Sequence, residues 1–314
     1  MAAKKKFDVY LAEVESLRHA ESGPEVTTAL RTALGDRSNY LVSKAAVGVA
    51  HHGIRELIPT LLDALQRFYR DPVKSDAQCW AKNAIVKALA DLGLDDAAVF
   101  LPASRHIQME PVWGGQSDTA GPMRAMATLA LVNCRSLPDI ELIHALVDRL
   151  ADTDHTVRAE AARACARVGL AEAALPLRMK ALLGDAEPEV LGACFSAILA
   201  LESAPAGMQF VERFADTAIL PPDHRAEAAL ALGFTRTAEA ASFLQNAWPE
   251  VRDPDLSAVF LTAIAATQQD AALTFLIELV EERPSAVIAR AARTALNAAR
   301  LSPELRDRLE RAAT

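Results

Sequence analysis

Apolar residues recur along this chain at helical spacing, not in alternation. Leu57, Ile58, Leu61, Leu62 and Leu65 form one stripe, Leu142, Ile143, Leu146, Val147 and Leu150 another, and Phe275, Leu276, Leu279 and Val280 a third. Residues three and four apart share a helix face, so each stripe predicts an amphipathic helix with one buried side. Between the stripes run Ala-rich stretches, such as Ala159 to Ala166 and Ala291 to Ala299. Ala loses no side-chain entropy in a helix and lets helices pack closely, so these predict a second set of helices.

The second set has recognisable ends. Asp152 is followed five positions later by Val157 and then Arg158, after which an Ala-rich segment runs to Gly169. The same five-residue step runs from Asp185 to Val190 and from Asp118 to Met123-Arg124. Asp36 and Gly53, and Asp76 and Gly93, bracket two further helices with the offset of Asp152 and Gly169. An Asp, or the Ser, Thr or second Asp beside it, satisfies the unpaired amides of a helix start. A Gly past the end supplies the left-handed residue that closes it. Pro188 and Pro254 suit such a start, where no N–H is needed.

Carried in both directions, this register makes Leu41, Ala81, Met123, Val157, Val190, His224, Ala258 and Val287 equivalent, separated by 40, 42, 34, 33, 34, 34 and 29 residues. The later units are weaker: the sixth has Ile219 in place of the acid, and the last has Glu282. Each unit is thus a pair of antiparallel helices that cannot bury its apolar side alone and must stack on its neighbours. Residues 8 to 20, with Val9, Leu11, Val14 and Leu17 on one side, predict an N-terminal cap, and Leu305 and Leu309 close the far end. The expected organisation is a tail and capping helix over 1–23, a helix-pair stack over 24–300 and a C-terminal cap over 301–314.

The pattern Leu-x-Asp-x4-Val-Arg-x2-Ala-Ala-x-Ala, from Leu150 to Ala164, resembles the HEAT-repeat family, including the short HEAT-like repeats of bacterial proteins. Pro59, Pro102 and Pro176, inside the first helix of a pair, also look like that family. The likeness runs from about Pro24 to Arg300 and implies an all-α, right-handed α-solenoid of about eight helix pairs. The Trp, Leu-Gly and Tyr positions of tetratricopeptide repeats are not matched, and spacings of 29 to 34 residues leave no room for the third helix of an armadillo unit. HEAT-like deoxyhypusine hydroxylases carry His-Glu pairs for iron; no His-Glu dipeptide occurs in this chain, which sets that activity aside.

Composition narrows the partners. The net charge of -8 opposes phosphate backbones and acidic lipid surfaces, so nucleic acid is a poor partner. The basic run Lys4 to Lys6 reads as a solvated tail. Cys79, Cys134, Cys165 and Cys194 lie far apart within apolar helical stretches, which signals neither zinc nor disulfides but small buried hydrophobes. No apolar run approaches the roughly 20 residues that span a bilayer, and the first residues lack the apolar core of a signal peptide, so cytoplasmic residence is expected. Phosphate loops, nucleophile elbows and paired catalytic carboxylates are not found, and no cofactor or metal is expected. His51-His52 is a poor chelate, because adjacent helical residues diverge by about 100°.

The two widest separations mark insertions. Phe68 to Lys74 extends the approach to the second unit's inner helix, and residues 104–117 separate the helices of the third. Solenoid insertions often carry binding residues on a base fixed by the stack. In the second insertion, Trp113 either folds back over the third unit, with a turn at Gly114-Gly115, or joins His106, Glu110 and Gln116 in gripping a partner. Inner-helix arginines, Arg124 and Arg158 foremost, either pair with neighbouring carboxylates or face an acidic partner from the concave side. The function expected is a non-catalytic scaffold binding a protein or peptide. Its rival is a HEAT-like lyase or cofactor-handling enzyme acting on a partner protein, which requires His106, Glu110 and Trp113 in one tight pocket.

Overall fold

The computed structural model describes residues 2–202, 204–217 and 219–312, with side chains from residue 7 onward. The side chains of Lys4 to Lys6 therefore lie outside the described residues. Two compact units divide the chain, Met1–Ala164 and Cys165–Thr314.

In the first unit, α1 (Ala2–Leu17) precedes four helix pairs: α2 (Pro24–Leu34) with α3 (Asn39–His51), α4 (Ile58–Tyr69) with α6 (Trp80–Asp91), α7 (Ala97–Ala103) with α8 (Gly121–Leu131), and α9 (Asp139–Leu150) with α10 (His155–Val168), whose last four residues fall past the division. A four-residue α5 (Pro72–Ser75) precedes α6, and β1 (Met109–Val112) and β2 (Gly115–Asp118) lie between α7 and α8. The second unit holds four more pairs: α11 (Ala174–Leu183) with α12 (Pro188–Leu201), α13 (Ala206–Asp216) with α14 (Pro222–Phe234), α15 (Ala238–Ala247) with α16 (Pro254–Ala266), and α17 (Asp270–Glu282) with α18 (Ala286–Asn297). Finally, α19 (Pro303–Ala312) packs on α17. The fold is an all-α, HEAT-like solenoid of eight helix pairs, with a helix beyond the pairs at each end.

The predicted ends form as the capping argument requires. Gly53, Gly93 and Gly169 have φ of 64°, 70° and 72°. Ser38 accepts from the Leu41 amide at the start of α3, and Asp253 from the Leu256 amide at the start of α16. The repeated Asp has a second role one turn earlier. Asp36, Asp118, Asp152 and Asp185 each accept a hydrogen bond from the amide two residues on, which bends the chain into the helix. At the other end of α3, His52 reaches back to α1, its Nε2 2.8 Å from the Leu17 carbonyl and its Nδ1 2.8 Å from the Ser22 hydroxyl. Val14 of α1 is buried.

Leu41, Ala81, Met123, Val157 and Val190 are fully buried, as their shared register predicts. Removing each such Leu or Val side chain from water contributes about 1.5–3 kcal/mol. The register slips in the last three units. His224 is half-buried, Leu256 takes the buried position in place of Ala258, and Val287 is 63% exposed. Asp253 is itself the cap of α16, so the buried Leu256 follows the acid by three positions, not five, and Ser285 is likewise itself the cap of α18.

Candidate partner-binding site

The two insertions meet. Just past the first, Asp76 is fully buried and accepts from the amides of Ala81 (2.8 Å) and Lys82 (3.0 Å), from Asn39 Nδ2 (3.0 Å) and from the buried Lys82 ammonium (2.8 Å). The charge of Asp76 is thus spent on the α6 start and a cation, the arrangement under which a buried carboxylate is tolerated. Just beyond it, Gln78 and Cys79 take φ of 60° and 55°, a left-handed backbone that non-glycine residues adopt at a cost.

The second insertion supplies what holds that backbone. Glu110 of β1, 8% exposed, accepts the Gln78 amide at 2.7 and 2.9 Å on its two oxygens. It also accepts Gln108 Nε2 (2.6 Å) and the Thr119 hydroxyl (2.7 Å). Gln108 donates again to the Asp76 carbonyl at 2.7 Å. Burial opposes ionisation of Glu110, but these donors and the nearby Lys82 outweigh it and hold the carboxyl below the ordinary range.

β1 and β2 pair antiparallel, Glu110 opposite Ser117 and Val112 opposite Gly115, around a two-residue turn of Trp113 and Gly114, where Gly114 has φ 87°. Gln108 and Glu110 point inward, while Ile107, Met109 and Val112 are exposed and Trp113 stands at 103% exposure on the tip. The base is fastened a second time by Arg124. Its Nε and Nη2 donate to the two Asp152 oxygens at 2.9 and 2.8 Å, and its Nη1 donates to Asp118 and to the His106 carbonyl (3.0 Å). Arg149 Nη1 adds a bond to the Ser104 carbonyl at 2.8 Å.

The six residues expected to meet a partner therefore separate. Trp113 and Gln116 are exposed on the hairpin. Arg124, only 1% exposed, anchors the hairpin instead of facing outward, and Glu110 locks its base. Arg158 donates to the carbonyls of Asp152 and Thr153 at 2.9 and 3.0 Å, supporting the turn that presents Asp152 to Arg124. His106 is half-buried with its ring edge-on to Tyr69 at 5.2 Å; burial, opposed by the Gln108 hydrogen bond, lowers its pKa. His106, Glu110 and Trp113 do not converge on one pocket: Trp113 is at the tip and Glu110 inside the base. Trp113 does not fold back, because the two-residue turn throws it away from the helices.

One surface was missed by the sequence reading. Tyr40, Trp80 and Pro122 each precede the buried register residue of α3, α6 and α8, so they stack along the inner helices. With Ser43, Lys44, Val47, Asn83, Ala84, Lys87 and Met126 they line a depression of about 400 Å³. The register that identified Leu41, Ala81 and Met123 contained this signal one position upstream. No group of three or more His, Cys, Asp or Glu among the described residues is placed to hold a metal ion, and no described helix is long and apolar enough to cross a membrane.

No protein-family model and no curated protein matches this chain. Among solved structures, a chain of the AP-3 complex, from a homology-built structure of the full-length complex in an intermediate open conformation, matches 92% of this chain at 14% identity and a TM-score of 0.53. Only 51% of that chain is covered, so this protein spans about half its length, and the likeness is one of fold alone. Human deoxyhypusine hydroxylase in complex with glycerol matches at 18% identity and a TM-score of 0.28, over 90% of this chain and 87% of that one. Legionella pneumophila aminopeptidase A in complex with aspartic acid matches at 13% and 0.46, over 92% and 36%. The last two superpose too loosely to bear on the fold.

Proposed function

We propose that this chain is a non-catalytic scaffold that binds another protein or a peptide through the Met109–Asp118 hairpin and the inner-helix surface of the Met1–Ala164 unit, and that it is a HEAT-repeat protein on the pattern from Leu150 to Ala164. The observation that carries the reading is the contrast within one hairpin. Its base is closed by a buried carboxylate with donors on both oxygens, and its tip holds a wholly exposed indole. A Trp held on a stiff mount loses little freedom on docking and brings a large apolar area, which is why such residues dominate binding energy at protein interfaces. Gln116 offers polar contacts beside it. Glu110, Arg124 and Arg158 act from beneath by holding the base, and the His106 ring packs against Tyr69.

The test is affinity capture from the cells that express the protein, comparing the wild-type chain with Trp113→Ala. The reading expects at least one protein retained by the wild type and lost from the variant, at an unchanged melting temperature. Identical retained sets would contradict it.

A further inference from the structure

We infer that the depression on α3, α6 and α8 is a specific pocket for one bulky, uncharged apolar side chain of a bound peptide, with a neighbouring peptide N–H donated to Asn83 Oδ1. This deepens the scaffold reading and rests on it.

The lining fixes the class of ligand. The Tyr40 and Trp80 rings meet at 5.0 Å, and Trp80 and Val47 remain exposed where the equivalent residues of a closed core would be covered. Pro122 and Met126 complete an apolar wall. Two lysines stand in the same surface, and both are neutralised. Lys44 lies 2.9 Å from Glu15 and 4.9 Å over the Tyr40 ring, and Lys87 lies 2.8 Å from Asp91. With each cation matched to a carboxylate, a phosphate or carboxylate ligand finds no unbalanced positive charge, whereas an uncharged apolar group finds aromatic and thioether surface.

Asn83 supplies the polar specification. Its Nδ2 donates to the Thr119 carbonyl at 3.5 Å, a long bond, and its Oδ1 is covered but has no hydrogen-bond partner. A covered acceptor without a donor is an unmet cost that a ligand N–H can remove once the weakly held amide turns toward it. An apolar side chain with an N–H next to it describes a peptide residue. The volume, about 400 Å³, sits near the lower end of the roughly 300–1,000 Å³ of ligand pockets, which suits one large side chain and its backbone.

Position ties the pocket to the hairpin. The Thr119 hydroxyl donates to Glu110 and its carbonyl accepts from the lining residue Asn83, so one residue links the foot of the hairpin to the pocket lining. In the inner-helix register, positions one before and two, three and six after the buried residue form the lining, so the stack itself builds the site from Tyr40, Ser43, Lys44 and Val47 on one helix and Trp80, Asn83, Ala84 and Lys87 on the next.

The experiment pans the intact chain against a random twelve-residue peptide library displayed on phage, then measures synthetic copies of enriched peptides by fluorescence anisotropy. Wild type is compared with Val47→Asp, Asn83→Leu and Trp113→Ala, each first checked for an unchanged melting temperature. Val47→Asp sits at an exposed position, so the test stands on it alone if Asn83→Leu fails to fold. The expected result is a shared bulky uncharged residue in the enriched peptides, with affinity reduced about tenfold or more by Val47→Asp and about tenfold by Asn83→Leu. Peptides weakened by Trp113→Ala but indifferent to both pocket variants overturn the pocket and leave the scaffold reading standing. Enriched acidic peptides that lose affinity with added salt overturn it in favour of an anion site. A peptide-free chain that sediments as a dimer in the wild type and a monomer in Val47→Asp overturns it in favour of a second copy. Failure to enrich any peptide over a blank surface also overturns it.

Discussion

Glu110→Gln removes one charge from the base of the hairpin and changes almost nothing in shape. Three donors, the Gln78 amide, Gln108 Nε2 and the Thr119 hydroxyl, converge on its Oε1 at 2.6–2.7 Å, and the Gln78 amide also reaches Oε2 at 2.9 Å. In the variant the amide oxygen keeps the Oε1 position and the NH2 replaces Oε2, so two N–H groups face each other at Gln78. Hydrogen bonds to a charged group are worth about 1.5–3 kcal/mol net against about 0.5–1.5 for neutral pairs, so three weakened bonds and one opposed pair cost roughly 2–4 kcal/mol. At 1.4 kcal/mol per tenfold, local opening becomes about 30- to 700-fold more frequent. Hydrogen exchange resolved by residue reads this directly. The amides of Gln78 and Thr119 lose protection by that factor, while those of α14 and α16 in the other unit stay unchanged. Because the Glu110 carboxyl is depressed below its ordinary range, its stabilisation is complete above the unfolded-state value and is lost only as pH falls through the lower folded one. In the wild type, protection at Gln78 therefore persists through mild acid and then falls. Unchanged exchange at Gln78 in the variant, or an equal change across both units, would refute the lock.

Asp152→Ala strips Arg124 of its bidentate partner inside the first unit and leaves a buried guanidinium with Asp118 as its one remaining carboxylate; the unfolding free energy measured by urea titration should fall by about 3–5 kcal/mol. Gly233→Ala drives a Cβ into the Ala263 carbonyl oxygen, so α14 and α16 must separate, and thermal melting should show a loss of about 1–3 kcal/mol. Burial pushes the thiols of Cys79, Cys165 and Cys194 up to about 12, so a disulfide reagent at pH 8 should leave them unmodified in the native chain and react with them on unfolding.

The repeat was legible because its punctuation is physical. A helix start needs an acceptor and a left-handed exit favours glycine, so Asp152 and Gly169 announce an element wherever they recur. The same Asp has two uses that look alike in sequence, however. Asp152 bends the chain three residues before the helix, whereas Asp253 is the cap itself, and counting five from it chose Ala258 over Leu256. The hairpin was harder to read. Its inward Gln108 and Glu110 are polar, so the alternation that betrays a strand was inverted, and only contact with Gln78, 32 residues away, makes a buried carboxylate there favourable. Arg124 and Glu110 attracted attention as charges and proved to be fasteners. Tyr40 and Trp80 attracted little, because the shared face of two residues 40 apart emerges only once the repeat register is applied to exposed positions.

The account rests on Trp113 being a contact residue held out by a rigid base. Its most direct test places a photo-crosslinking phenylalanine analogue at position 113, with an equivalent substitution at exposed Val287 as control, in cells that express the protein. The account predicts a discrete adduct with another protein at position 113, absent from the control and lost when Glu110→Gln loosens the hairpin. Irradiation that yields no adduct from position 113, or the same adducts from both positions, would contradict it.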